Sequence, residues 1–307
     1  MNARASVALV TGGNKGLGLA IARGLARRDP TRITLLGSRD RDRGLQTLEL
    51  LRSEGLDNVR LIEIDVTDPQ SISNAASLVQ KEYGALSILV NNAGVASHGK
   101  DLNVDIARRT IATNYYGVLN VTNAFLPLIR LAHGCIVNIA STMGSRALAF
   151  MSESQQKQLL DPALNIDELS KLMEEFIADV HTGDYQQRGW PANSYGVSKA
   201  GVQMLTRIVA RDNPDLIINC CCPGWVKTDM TGPHATLTPD EGAITPLKLC
   251  ELGPGAQSGL FWYKEQPSSE KVDWNSTMMQ GGKVLLSPCL SNTSKAALSK
   301  DWGTIQI

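Results

Sequence analysis

Val7-Ala8-Leu9-Val10-Thr11-Gly12-Gly13-Asn14-Lys15-Gly16-Leu17-Gly18 is the stretch that decides the fold. Four apolar residues run into a glycine-rich turn, and the turn runs into a segment whose Leu17, Ile21, Ala22 and Leu25 share one helical face. So short an apolar run reads as a strand covered on both sides, as in a parallel sheet. Where such a strand turns straight into a helix, free N–H groups and the helix dipole attract an anion. Glycines there let a pyrophosphate approach the backbone. The spacing is G-x-x-x-G-x-G rather than the more general G-x-G-x-x-G. Glycines alone could make a tight loop; their place between a strand and an amphipathic helix points to a dinucleotide.

Outward from this turn, strand and helix patterns alternate. Further strands are expected at Ile33 to Leu36, Val59 to Ile64, Leu86 to Val90, Cys135 to Ile139, Ile217 to Cys222 and Leu260 to Tyr263. Helices are expected at Gly16 to Arg28, Gly44 to Ser53, Gln70 to Tyr83, Asp105 to Arg130 and from about Tyr195. About fifty residues separate Ser141 from Tyr195, more than a loop holds without structure of its own. Within them Leu169, Leu172, Met173, Phe176, Ile177 and Val180 recur at helical spacing. The pattern predicts an α/β chain of one domain, a Rossmann-type doubly wound parallel sheet over residues 1–275, with a helical insert at about 142–189. Residues 276–307 lack periodicity and are rich in small polar residues, so a disordered C-terminal extension is expected.

Composition narrows the class. The 30 Lys and Arg balance 30 Asp and Glu, so no overall field favours nucleic acid or an anionic membrane. No apolar stretch is long enough to span a bilayer, and no secretory pattern precedes the first strand. A soluble cytoplasmic protein is the expectation. The 6 cysteines include the adjacent Cys220, Cys221 and Cys222 and form no paired C-x-x-C, so reduced buried thiols are expected and no metal site.

The residues after the second strand bear on which dinucleotide. An acid about twenty residues beyond the glycines would bind the ribose hydroxyls of NAD and repel an added phosphate. Ser38 and Arg39 stand there instead, and Lys15 lies within the turn. A hydroxyl and two cations suit the extra phosphate of NADPH. Asp40 keeps the NAD reading open.

A second constellation follows downstream: Asn114, Ser141, Tyr195 and Lys199. Reducing a carbonyl needs a hydride donor, a proton donor and a partner for the growing negative oxygen. Tyrosine can give the proton, and a lysine one helical turn on would make its phenol, of ordinary pKa about 10, more acidic. Ser141 ends a buried strand, where its hydroxyl can meet a substrate oxygen or simply cap a helix. Asn91-Asn92-Ala93-Gly94 ends another strand as a small-residue approach to the cofactor or a plain turn. Asn114 sits inside a helical pattern, where asparagine is disfavoured, which suggests a fixed hydrogen-bonding task unless it faces solvent.

Taken together, T-G-G-N-K-G-L-G, N-N-A-G, N-Y-Y-G, I-V-N-I-A-S, Y-G-V-S-K and P-G-W-V-K-T-D-M, in this order, resemble the short-chain dehydrogenase/reductase superfamily. The resemblance spans roughly Val7 to Trp274 and is narrowest to its monomeric carbonyl reductases, with plant menthone and salutaridine reductases nearby. It implies Tyr195 as general acid, Lys199 as ribose ligand and tuner of Tyr195, Ser141 as orienter of the carbonyl, and Asn114 completing a water relay with Lys199. It further implies cofactor contacts from Gly12, Asn14, Lys15, Gly16, Leu17, Gly18, Ser38 and Arg39, from Asp65 and Val66, and from Asn91, Ala93 and Gly94. Pro223, Gly224, Val226 and Thr228 would meet the nicotinamide end. The insert covers the faces other members use to form oligomers, so a monomer is implied.

Met143, Trp190, Trp225 and Met230 flank these residues and are expected to wall an apolar substrate pocket, although some could be ordinary core. Such a wall suits ketones, aldehydes or quinones with bulky apolar groups. Two rival readings stand beside NADPH-dependent carbonyl reduction. One is an NAD-dependent alcohol dehydrogenase on the same fold, favoured by Asp40 alone. The other is a non-catalytic NADPH-binding regulator, which the full set of Asn114, Ser141, Tyr195 and Lys199 opposes.

Overall fold

The structure, a computed structural model, describes residues 6–96 and 102–267. The chain runs β1 (Val7–Val10), α1 (Gly16–Arg28), β2 (Ile33–Ser38), α2 (Arg41–Ser53), β3 (Val59–Glu63), α3 (Pro69–Glu82) and β4 (Ile88–Asn91). It continues as α4 (Val104–Ile111), a π-helical turn (Ala112–Tyr116), α5 (Gly117–Ala132) and β5 (Cys135–Ile139). The insert supplies α6 (Thr142–Phe150), α7 (Glu153–Leu160) and α8 (Ile166–Thr182). After it come α9 (Ser194–Asp212), β6 (Ile217–Cys222), α10 (Pro239–Cys250), β7 (Phe261–Tyr263) and β8 (Gln266–Pro267). The expected extension at 276–307 lies outside the described residues.

The strands form one sheet in the order β3-β2-β1-β4-β5-β6-β7-β8, parallel throughout except for β8. The order reverses between β1 and β4, and a crevice opens at their carboxyl ends. Strand pleating sends alternate residues to opposite faces. Val7 and Leu9 thus join one core with α3, α5, α8 and α9, while Ala8 and Val10 join another with α1, α2 and α10. Lys264 and Glu265, with φ of 50° and 61°, make the tight turn that folds β8 back on β7.

Three helices occupy the insert. The expected stripe on α8 is buried from Leu169 to Val180. A capping box between Asn165 and Glu168 starts this helix, and Gly183, at φ +84°, ends it. Removing the Asn165 cap would cost about 1 kcal/mol. Trp190 packs on this helix and not in a substrate pocket. It is 2% exposed, its ring centroid lies 5.5 Å from that of Phe176, and its indole N–H donates to Asp179 at 3.0 Å. The expected helix from Asp105 to Arg130 is continuous and contains one wide π-helical turn at Ala112–Tyr116, which carries Asn114.

Candidate active site

The cleft at the sheet's carboxyl edge encloses about 680 Å³. One end is the turn between β1 and α1. Among the described α-helices that start from a loop, only α1 lacks a side-chain cap. Its first N–H groups are therefore left for an anion. Gly16 takes φ +53°, and a Cβ on Gly18 would run into the carbonyl oxygen of Gly12. The turn is braced from outside. Thr47 donates to the Asn14 carbonyl at 2.8 Å, and the Asn92 amide donates to the carbonyls of Thr11 and Gly12. The Thr11 hydroxyl in turn accepts from the N–H groups of Asn92 and Ala93, tying β1 to β4 at the switch point.

Gly12, Asn14, Lys15, Gly16, Leu17, Gly18 and Arg39 line this end of the cleft, and Asp65, Val66, Ala93 and Gly94 line it further along. Ser141, Tyr195, Lys199, Pro223, Gly224, Val226, Thr228 and Met230 complete the expected set on its walls. Six expected residues stand elsewhere, and one of them, Asn114, lies buried behind the wall. Ser38 is buried, with its hydroxyl donating to the Asp40 carbonyl at 2.7 Å, so it shapes the β2–α2 corner instead of facing a phosphate. Asn91 is turned by the strand pleat into the interior, where its amide donates to Thr122 and Asn138; its neighbour Asn92 takes the cleft position. Met143 stands on the first turn of α6 and is not among the residues of the cleft wall. Trp225 is 39% exposed, and its carbonyl pairs with Thr236 and Leu237. Trp190 belongs to the insert core described above. Asp40 caps α2 through the Arg43 N–H and ion-pairs with the Arg43 side chain, which explains why it is absent from the cleft wall.

Residues that sequence reasoning passed over complete the walls. They include Asn92, Arg109, Thr113, Cys222, Lys227 and Asp229. Arg109 and Thr113 were legible as successive turns preceding Asn114. Asp229 had no such signal, since its partner Lys15 lies 214 residues away, at 2.6 Å.

At the other end of the cleft, α9 presents Tyr195 and, one turn on, Lys199. Lys199 is 5% exposed and its ammonium donates to the Ile139 carbonyl at 2.6 Å. Burial pulls it down to about 8, against a smaller opposing effect of the thiols of Cys222, Cys220 and Cys221. Burial also pushes the Tyr195 phenol up to about 12, with Cys222 adding to the rise and a hydrogen bond with Ser141 opposing it. The expectation of a more acidic phenol is thereby corrected. Burial dominates, and the Lys199 ammonium, 5.7 Å from the Tyr195 ring centroid, is engaged by the Ile139 carbonyl.

Asn114 is fully buried behind this wall. Its carbonyl oxygen accepts from the Val95 N–H at 2.8 Å, and its amide donates to the Val95 carbonyl and to Ser198. A Cβ built on Gly94 would meet the Asn114 oxygen at 3.2 Å and the Lys199 ammonium at 3.8 Å. Glycine thus leaves a polar gap between the two. The glycine cradle, the uncapped helix and the cations fit a dinucleotide phosphate; the Tyr195–Ser141 pair fits a carbonyl oxygen. Among the described residues, no cluster of His, Cys, Asp or Glu is arranged to hold a metal ion.

Comparison with known proteins agrees with this geometry. The profile of the family described as short chain dehydrogenase matches residues 6–153. The chain is 42% identical over 266 residues to carbonyl reductase (NADPH) 1 of Homo sapiens, covering 84% of this chain and 95% of that protein. It is 41% identical over 264 residues to carbonyl reductase (NADPH) 3 of Mus musculus, with 83% and 94% covered. Among solved structures, salutaridine reductase from Papaver somniferum superposes with a TM-score of 0.78 at 30% identity, covering 84% of this chain and 99% of that one. Menthone neomenthol reductase from Mentha piperita gives 0.74 at 30%, with 86% and 100% covered.

Proposed function

The chain belongs to the short-chain dehydrogenase/reductase family, and from that premise we propose that it is an NADPH-dependent carbonyl reductase. The observation that carries this is the pairing of Tyr195 with Ser141 on the wall of the same cleft whose far end is the uncapped glycine turn. The names of its carbonyl reductase relatives support the cofactor and the reaction.

NADPH, when bound, supplies the hydride. Ser141 accepts the carbonyl group beside Tyr195 and donates to its oxygen as negative charge builds there. Tyr195, with its phenol held at about 12, is fully protonated at neutral pH, and an alkoxide is a far stronger base than a phenolate, so the proton moves downhill. Lys199 holds the ribose and returns a proton toward Tyr195. A water beside Gly94, donating to the Asn114 oxygen, would link Asn114 to Lys199. Lys15 and Arg39 receive the extra phosphate that distinguishes NADPH. Gly12, Asn14, Gly16, Leu17 and Gly18 receive the pyrophosphate, Asp65 and Val66 the adenine, and Pro223, Gly224, Val226 and Thr228 the nicotinamide end. Apolar cleft residues such as Val95, Ile139 and Met230 support ketones, aldehydes and quinones as the substrate class.

A monomer fits the packing of α8 on α4 and α9, which covers that flank of the sheet. Free, buried Cys135, Cys220, Cys221, Cys222 and Cys250 support a reducing, cytoplasmic setting. No described helix is long and apolar enough to cross a membrane.

Tyr195→Phe tests the reading. With a panel of carbonyl compounds and NADPH consumption as readout, kcat should fall roughly 100- to 10,000-fold while NADPH binding is kept. Turnover at the wild-type rate in this variant would contradict the assignment.

A further inference from the structure

Three polar side chains occupy successive turns on one face of α9: Tyr195, Lys199 and Gln203. The function above uses the first two. Gln203 is 2% exposed and lies outside the cleft wall, so it is placed to touch neither substrate nor cofactor. Its amide donates to the backbone carbonyl of Ser141 at 3.0 Å and to the Ser145 hydroxyl at 3.1 Å. The Ser141 carbonyl also accepts from the Gly144 N–H at 2.9 Å, so both of its lone pairs are used. One turn earlier, Lys199 holds the carbonyl of Ile139. Adjacent turns of α9 thus grip the two carbonyls on either side of Ala140, at the end of β5.

The seam around this grip has little slack. A Cβ on Gly144 would come within 2.7 Å of the Lys199 carbonyl carbon, and one on Gly196 within 2.8 Å of the Ala147 Cβ. Helix α6 therefore lies with its backbone directly against α9, and it starts at Ser141, whose hydroxyl accepts from the Met143 N–H at 3.1 Å. The direction of that hydroxyl follows from the backbone at 141, and the backbone is fixed by Gln203. Burying an amide is costly unless its bonds are made. An apolar side chain could fill the same volume but would leave the Ser141 carbonyl without this donor.

We propose that Gln203 is a positioning residue for carbonyl reduction: by holding the Ser141 carbonyl, it aims the Ser141 hydroxyl at the substrate oxygen beside Tyr195. This rests on the function proposed above.

The test is a double-mutant cycle on the full chain with Gln203→Met, which keeps length and volume without an N–H donor, and Ser141→Ala. Gln203→Met alone should lower kcat roughly 10- to 100-fold with KM for NADPH unchanged. On the Ser141→Ala background it should lower kcat less than twofold, because the group it aims is gone; a side chain that only supports the fold would add its full effect there. Unchanged kcat in Gln203→Met, or fully additive losses, overturns the proposal. Should Gln203→Met not fold, Gln203→Asn, one methylene too short to reach, goes through the same cycle with the same criteria. A wild-type chain without carbonyl-dependent NADPH oxidation would overturn both readings. Active wild type with additive losses would remove only this one.

Discussion

The Lys15 ammonium, in the turn between β1 and α1, lies 2.6 Å from the Asp229 carboxylate, in the loop after β6. The pair bridges the mouth of the cleft and sets a carboxylate against the cation expected to meet the NADPH phosphate. Lys15 holds the Asp229 carboxyl below its usual range, so the pair persists at neutral pH. Both groups are mostly exposed, at 57% and 79%, so the bridge does little for the fold. Its effect is competition. Asp229→Asn should lower KM for NADPH about twofold to fivefold at low ionic strength, and high salt should erase the gain. KM for NADH should not move. Equal shifts for the two nucleotides would show that the bridge merely closes the cleft.

Arg39 is exposed on the cleft wall, whereas Asp40 is committed to capping α2. Arg39→Asp should therefore invert nucleotide choice, lowering kcat/KM with NADPH about 100-fold and raising it with NADH. Steady-state kinetics with both nucleotides on one ketone decide this, and unaltered NADPH affinity refutes it.

Lys199 is held at about 8, below its ordinary 10.5, so folding favours its neutral form. The penalty is complete below about pH 8 and fades as pH rises toward 10.5. Lys199→Met should consequently be inactive yet more stable at neutral pH, by about 2 kcal/mol once the lost bond to Ile139 is counted. Its advantage should shrink near pH 10. Thermal unfolding across this range provides the check, and a variant less stable than wild type at pH 7 would contradict it.

Trp190 belongs to the interior beside Phe176. Trp190→Ala should cost about 3–5 kcal/mol of stability and leave KM for carbonyl substrates nearly unchanged. Denaturant unfolding and kinetics separate this from a pocket role, in which KM would move first.

Local pattern made most of the fold readable. The strands at Val7, Cys135 and Ile217 stand where short apolar runs predict them, and so do α1, α8 and α9. The segments passed over had weaker apolar stripes or depended on caps. Helix α10 announces itself through Thr238-Pro239-Asp240-Glu241, a capping box with proline at the first turn, more than through hydrophobic spacing. At the site, residues beside a glycine turn or at the end of a strand were legible because backbone position alone delivers them to the cleft. Ser38 and Asn91 were misread because strand parity and a local hydroxyl-to-backbone bond decide which way a side chain faces. The partnership of Lys15 with Asp229, and that of Gln203 with Ser141, depend on how distant segments pack, and sequence spacing carries no record of that.

The bare start of α1 has one more consequence. A helix whose opening turn waits for an external anion is finished only when the nucleotide arrives, so the guest serves as part of the scaffold. Because NADP+ and NADPH carry the same pyrophosphate, either form, once bound, completes this turn and adds to the stability of the fold by mass action.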